Sequence, residues 1–295
     1  MATVVVNWNE PKMTIDLLGG FRTQSYPRVL PIVIDNGSLD QSDFVRRLAA
    51  EFPDVSVIAN ATNTGYAAAC NGGIAMALER GADYVFILNN DVALDPSTIG
   101  ELVRVLRVNP EAGAAAPIVY DASEPERVWF AGGRLSLGLR PVVAHVKLHV
   151  PTGEPARQTD WLSGAAIMMS RACIETVGLL KTDYFLYLED VDWSCRARRD
   201  GFTLLIAADA RVRHRISAST SKRPIEALYY SERSLLLFFE RWGSWPLRCW
   251  TWAKLLFRLV LSLVRRPGTS EREARQLADR DYLFRRLGAR PGFFV

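Results

Sequence analysis

Four short runs and one histidine carry the residue types that could do chemistry in this 295-residue chain. Asn89-Asn90-Asp91 closes an unbroken apolar run, Tyr84–Leu88. Asp35-Asn36-Gly37-Ser38 closes a second apolar run, and Asn7-Trp8-Asn9 closes a third. Glu189-Asp190-Val191-Asp192 places three acids in four residues, and His214 ends the last strand-like stretch in Arg-Val-Arg-His-Arg. A carboxylate released at the end of a buried strand needs a partner, and a cation with a diphosphate is a natural one for Asp91. Asp35 reads in two ways: as a turn former in Asp-Asn-Gly-Ser, or as an acceptor for the imide N–H of a uracil or thymine base. The acidic cluster also has a structural reading, an acidic helix start balanced by Arg196, Arg198 and Arg199.

These groups need a scaffold that gathers strand ends. A continuous apolar run of strand length reads as a strand buried on both faces. The predicted order is strand Thr3–Val6, a helix opened by Pro11, strand Val29–Ile34, helix Phe44–Phe52, strand Val55–Ala59, helix Ile74–Arg80 and strand Tyr84–Leu88. That alternation is a parallel, doubly wound sheet, which binds ligands beyond the carboxyl ends of its strands. Further on, helix Pro96–Leu106, strands Ala114–Val119, Val142–Val150, Ala165–Met169 and Thr203–Ala207, and helices Arg171–Val177 and Trp193–Arg199 are expected. Tyr184–Leu188 reads as a short aromatic segment.

The loop Asn63–Gly73 has no Gly-Lys-Ser/Thr and no G-x-G-x-x-G, which excludes the two common phosphate fingerprints. Its small residues at a helix opening let a ligand approach the backbone. Four dispersed cysteines, with no C-x-x-C pair, fit a reducing compartment and argue against a cysteine-rich zinc site. No signal peptide is expected, since Val4–Val6 is too short an apolar run. Residues 1–214 carry 20 Lys+Arg against 25 Asp+Glu, whereas residues 215–295 carry 16 against 7. A basic, aromatic tail suggests an anionic partner.

Val-Val-Asn-Trp-Asn, Ile-Asp-Asn-Gly-Ser, Asn-x-Gly-Tyr, Leu-Asn-Asn-Asp-Val, Trp-Leu-Ser-Gly-Ala-Ala and Phe-Leu-Tyr-Leu-Glu-Asp-Val-Asp-Trp occur here in that order. Their order and spacing resemble inverting family 2 glycosyltransferases of the GT-A fold, in the bacterial rhamnosyltransferase and galactofuranosyltransferase branch, over roughly Thr3–Ser219. The resemblance implies a Rossmann-like α/β fold, a mostly parallel sheet with helices on both faces, plus a C-terminal helical extension. It implies domains at 1–219 (nucleotide-sugar half 1–110, acceptor half 111–219) and 220–295. It makes Asp190 the general base and Asp91 and His214 the ligands of Mg²⁺ or Mn²⁺. Asn89 stands where the first acid of the Asp-x-Asp motif usually does, so Asp91 would be the main protein ligand. Asp35 would hold the nucleobase with Asn63 and the backbone near Asn7 and Asn9. Gly65, Asn89, Asn90, Glu189 and Arg215 would line the substrates, with Arg215 on the diphosphate. Gly164 and Ala165 would leave room for the acceptor, and Trp161, which could equally be core, is assigned to an acceptor-sugar platform. His145 and His149 are taken as non-functional.

The implied donor is dTDP-rhamnose, with UDP sugars (galactofuranose, GlcNAc, glucose) behind it, and the acceptor a glycan or polyprenyl-linked glycan of a cell-surface polysaccharide. No nucleic acid is expected as a partner, and a homodimer is possible. In the tail, Leu228–Phe239 and Leu247–Val264 are the most apolar helical patterns. Lys254 and Arg258 would cost about 2.5–3.5 kcal/mol each inside a bilayer, so the reading is a helix lying in the interface. That places the protein in the cytoplasm, peripheral on the inner face of the membrane. Two competing classes are nucleotidyl transfer, which would put a Gly-rich basic loop after strand one, and a membrane-docked nucleotide-binding module, which would leave Glu189–Asp192 and His214 without a use.

Overall fold

The computed structural model describes residues 1–147, 154–215, 223–264 and 270–293. β1 (Ala2–Asn7), β2 (Leu30–Asn36), β3 (Ser56–Asn60) and β4 (Tyr84–Asn89) alternate with α1 (Pro11–Phe21), α2 (Gln41–Glu51) and α3 (Tyr66–Glu79). These four strands run parallel. Then come β5 (Val92–Leu94), α4 (Thr98–Val108), β6 (Ala112–Asp121), β7 (Val128–Phe130), β8 (Gly133–Ser136), β9 (Val142–His145), β10 (Ala156–Gln158), β11 (Ala166–Ser170), α5 (Arg171–Val177), α6 (Glu189–Arg199) and β12 (Thr203–His214). The extension is α7 (Pro224–Trp242), α8 (Trp245–Val264) and α9 (Ser270–Leu283).

The main sheet runs β10-β12-β6-β11-β4-β1-β2-β3. β11 is antiparallel to β4 and to β6, while β12 is parallel to β6. The carboxyl ends of β1, β2, β4, β6 and β12 therefore share one edge with the start of β11. β4 shows why its run is unbroken. Val85 and Ile87 enter the core on one face, with α3 and α6, and Phe86 and Leu88 enter the other, with α1 and α4. A strand covered on both sides has no reason to alternate.

Several boundaries differ from the sequence expectation. α3 begins at Tyr66 rather than Ile74, because Gly73 lets the helix press onto the sheet. A Cβ there would lie 2.4 Å from Val4 and 2.7 Å from Ile34. α6 begins at Glu189 rather than Trp193, so the acidic cluster is its first turn, where carboxylates complement the helix dipole. β12 continues to His214, past an irregularity between Ala207 and Arg211. Of the strand expected at Val142–Val150, β9 realises Val142–His145. Residues 148–150, including His149, lie outside the described residues, as does the boundary at 219. α9, with its mixed charges, has no counterpart in the sequence reading.

The extension is not detached. Leu236, Leu237 and Phe238 of α7 and Tyr282 of α9 belong to the main core. Tyr229 and Tyr230 form a second cluster with Phe185, Ala274 and Ala278.

Candidate active site

At the β1 and β2 ends, short polar side chains lock the loops to one another. Asp35 is fully buried. Its Oδ2 accepts from Asn7 Nδ2 at 2.7 Å, and its Oδ1 accepts from Gln41 Nε2 at 2.7 Å and from the Ser38 N–H at 3.0 Å. Asn9, in the left-handed region at φ 56, accepts from the Leu39 N–H at 2.9 Å. Asn36 donates to Asn63 Oδ1 at 2.9 Å, and that same oxygen receives the Gly65 N–H at 3.0 Å. Asn90 Nδ2 donates to Thr14 Oγ1 at 3.1 Å, tying the end of β4 to α1. The Asp35 carboxylate thus shapes the rim of the cleft from inside, and its bond from the Ser38 N–H is the one the turn-forming reading of Asp-Asn-Gly-Ser expects. Gly65 departs from expectation. At φ +86, with Phe185 O 2.6 Å from where a Cβ would sit, the backbone that approaches it is the protein's own.

Two strands along, Asp91 sits in the turn between β4 and β5, and β5 pairs with the end of β12. His214 Nε2 stands 3.0 Å from Asp91 Oδ1, both side chains nearly buried. Asp91 Oδ1 nevertheless has no hydrogen-bond partner. The contact has the length of a hydrogen bond without its directionality. Adjacent ligands on an octahedral Mg²⁺, at about 2.1 Å from the ion, stand about 3.0 Å apart, so a buried oxygen and imidazole nitrogen at this spacing fit a hard divalent cation. Among the described residues no group of three or more His, Cys, Asp or Glu could hold a metal. An ion here would draw its other ligands from water and a diphosphate. The Trp129 ring meets the His214 imidazole edge-on at 5.0 Å and fixes its plane. The Arg215 N–H donates to the Asp91 carbonyl at 3.0 Å. Its side chain lines an open polar cavity of about 630 Å³ with Arg127, Lys147, Trp129 and Asp121.

The acidic turn is aimed by backbone. Tyr187 and Leu188 both have φ near +69 (69 and 68), a costly conformation for side-chain-bearing residues that concentrates at functional sites. It delivers Glu189 and Asp190 to the first turn of α6. Asp190 Oδ2 accepts from the Gly164 N–H at 2.7 Å and Oδ1 from the Val191 N–H at 2.8 Å. The next residue, Ala165, accepts from the Asn89 N–H at 3.0 Å. Asp190 is therefore anchored to the backbone that flanks the Asn89-Asn90-Asp91 run, on the same sheet edge. Gly164 does not stand open. A Cβ there would lie 3.4 Å from both Asp190 Oδ2 and the Tyr66 ring.

Burial drives the Glu189 carboxyl well above the ordinary carboxylate range, with the Asp190 charge adding to it. Burial raises Asp190 as well, while the N–H groups of Gly164 and Val191 pull it back. Glu189 Oε2 has no partner. The two carboxyls are coupled, and the Gly164 and Val191 N–H groups favour the charged form at Asp190 over Glu189, which has no such donors.

Trp161 is a core residue and not the acceptor-sugar platform assigned to it. It is 3% exposed, with no ring face open to a sugar. Its indole lies where a Gly133 Cβ would be, at 2.1 Å, and packs on Phe130 and His145. Sequence reasoning passed over Tyr66, whose hydroxyl donates to the Gly164 carbonyl at 2.7 Å, although Asn-Thr-Gly-Tyr was already a motif. It also missed Trp129 and Trp242, which no local pattern marks.

A family model described as "Glycosyltransferase like family 2" matches residues 1–228. The N-acetylglucosaminyl-diphospho-decaprenol L-rhamnosyltransferase of Mycobacterium tuberculosis is 28% identical over 250 residues, 75% of this chain and 78% of that protein. The dTDP-rhamnosyl transferase RfbF of Shigella flexneri is 25% identical over 192 residues, covering 65% of this chain and 61% of its own length. Among solved structures, the mannosyltransferase PcManGT from Pyrobaculum calidifontis, in complex with GDP-Man and Mn²⁺, overlays with a TM-score of 0.57 at 16% identity, covering 96% of this chain and 86% of that one. GalNAc-T7 with UDP, GalNAc and Mn²⁺ overlays with a TM-score of 0.61 at 15% identity over 72% of this chain and 43% of that one. At these identities the overlays establish the fold, which is GT-A.

Proposed function

The chain belongs to glycosyltransferase-like family 2, and from that premise we propose that it is an inverting transferase moving L-rhamnose from dTDP-rhamnose to a lipid-linked glycan. The observation that carries the reading is the anchoring of the Asp190 carboxylate to the Gly164 N–H, whose neighbour Ala165 holds the Asn89 N–H, two residues before the Asp91–His214 pair. Inversion needs a base on one side of the anomeric carbon and a stabilised leaving group on the other. Asp190 takes the proton of the acceptor hydroxyl as its oxygen bonds to the anomeric carbon, and the bond from that carbon to the diphosphate oxygen breaks. Burial favours the neutral form of Glu189, which leaves the negative charge to Asp190 and its two backbone donors. Asp91 and His214 would hold a divalent ion, which when bound screens the charge of the diphosphate as a Lewis acid. Arg215 serves as a phosphate contact, and Asp35, through Asn7, Ser38 and Gln41, fixes the loops that receive the nucleobase.

The choice of donor and acceptor is supported by the relatives' names, which specify L-rhamnosyl transfer, dTDP-rhamnose and a diphospho-decaprenol acceptor. The test is thermal stabilisation by dTDP-rhamnose and by UDP-galactofuranose, UDP-GlcNAc and UDP-glucose, each with and without Mn²⁺, since a ligand of the folded state raises the melting temperature. A Mn²⁺-dependent shift with dTDP-rhamnose alone is expected. A shift with a UDP sugar and none with dTDP-rhamnose would reassign the donor.

A further inference from the structure

α8 is held to the protein by a narrow stripe. Leu247 and Leu255 are buried, and Thr251 and Arg258 are half-buried on the same side. Around the rest of the helix stand Trp245, Trp250 and Phe257 at 77%, 64% and 64% exposure, with Leu256, Val260 and Trp252, the last also packed on Tyr282. Large exposed apolar residues are normal when scattered singly. Here six fall on one twenty-residue helix, three of them tryptophan, the residue suited to a boundary between water and hydrocarbon. The helix contains no acid. Lys254 is the exposed cation at the edge of this face, in a groove shared with Glu232, whereas the Arg248 guanidinium donates to the Gly243 and Arg241 carbonyls. Among the described residues no helix is long and apolar enough to cross a membrane.

We propose that the open face of α8 is a membrane-docking surface that lies in the headgroup region of an anionic bilayer. Trp245, Trp250, Leu256, Phe257 and Val260 enter the acyl boundary, and Lys254, at the edge of the face, reaches the phosphates. Burial of the apolar residues and attraction between Lys254 and anionic lipid act together, the physical signature of an interfacial helix. The surface is coupled to the proposed active site through α7. Ser234 Oγ donates to the Leu186 carbonyl at 2.8 Å, just before the left-handed turn that aims Asp190. A docked α8 thus holds the acceptor half at a fixed height above the lipid.

The test uses the full chain and sugar-free vesicles, so its outcome is independent of the donor assignment. Flotation with phosphatidylglycerol–phosphatidylcholine vesicles is compared for the wild type and for Phe257→Glu with Val260→Glu, both exposed positions whose change leaves the fold intact. The wild type should float, with a blue shift of its tryptophan emission. The double variant should lose at least about tenfold in partitioning while keeping its melting temperature and its donor-binding shift. A Lys254→Glu variant should bind more weakly than the wild type, by a factor that is largest at low salt, where screening is weakest. Equal flotation of the double variant, no flotation of the wild type, or a dimer in sedimentation that Phe257→Glu dissolves would overturn the proposal.

Discussion

The indole N–H of Trp242, in the last turn of α7, donates to Asp192 Oδ1 of α6 at 2.9 Å, across fifty residues of sequence. Asp192 is 2% exposed, and its other oxygen accepts from Arg196 Nε at 3.0 Å. The C-terminal extension therefore holds the helix whose first turn carries Glu189 and Asp190. Arg196 in turn donates to the Val177 and Leu179 carbonyls at 2.7 and 2.8 Å.

Asp192→Asn should destabilise the fold by about 3–5 kcal/mol, because it leaves the buried Arg196 guanidinium without its counter-charge. Trp242→Phe removes one donor to a charged acceptor and should cost about 1–3 kcal/mol. Urea unfolding measures both. An Asp192→Asn chain as stable as the parent would show that the pair adds nothing to stability.

Asp190→Asn should lower turnover by about 10²–10⁴-fold, the range for loss of a general base. Asparagine keeps an oxygen for one of the backbone donors, so donor binding measured by calorimetry should be unchanged. Full turnover in this variant would remove Asp190 from the reaction.

Burial raises the Asp190 carboxyl, so the inactive protonated form persists to higher pH than it would for an exposed aspartate. The rate should rise with pH along a limb lying above the exposed-aspartate value of about 3.9. Glu189 is the neutral partner, so Glu189→Gln should retain more than about a tenth of the activity and leave that limb in place. A limb that vanishes in Glu189→Gln would move the titrating role to Glu189.

Asp91→Asn and His214→Ala should each weaken Mn²⁺ binding at least about tenfold, read by the electron paramagnetic resonance of free Mn²⁺ in the presence of dTDP. Trp129→Ala should act in the same direction but more weakly, since it touches the imidazole only through its ring edge. Unaltered Mn²⁺ binding in both ligand variants would place the ion elsewhere.

Gly65→Ala and Gly81→Ala form a matched pair. Both glycines have positive φ, +86 and +77, but a Cβ at Gly65 would meet the Phe185 carbonyl at 2.6 Å, whereas Gly81 faces open space. Gly81→Ala should cost about 1 kcal/mol in backbone strain alone. Gly65→Ala should add overpacking of about 1–3 kcal/mol and reduce activity, since it pushes on the segment that leads to Asp190. Equal melting temperatures for the two variants would refute the steric argument.

The local pattern of the sequence was enough for the elements and their alternation. Apolar runs of strand length, helix starts and the polar residues after each strand follow from side-chain chemistry within a few positions. They yielded the parallel sheet and the convergence of Asn7, Asp35, Asn89 and Asp91 on one edge, because strands that run parallel must end together, while the GT-A fold and the place of His214 came from the resemblance of the motifs. Orientation was beyond it. Asp35 turning inward, Trp161 entering the core, Gly65 yielding its space to Phe185 and α7 bracing α6 through Trp242 all depend on partners tens to more than a hundred residues away. Whether a polar side chain meets a ligand or a neighbouring loop is decided by which of them fills the space beside it. That competition is settled only when the chain has folded.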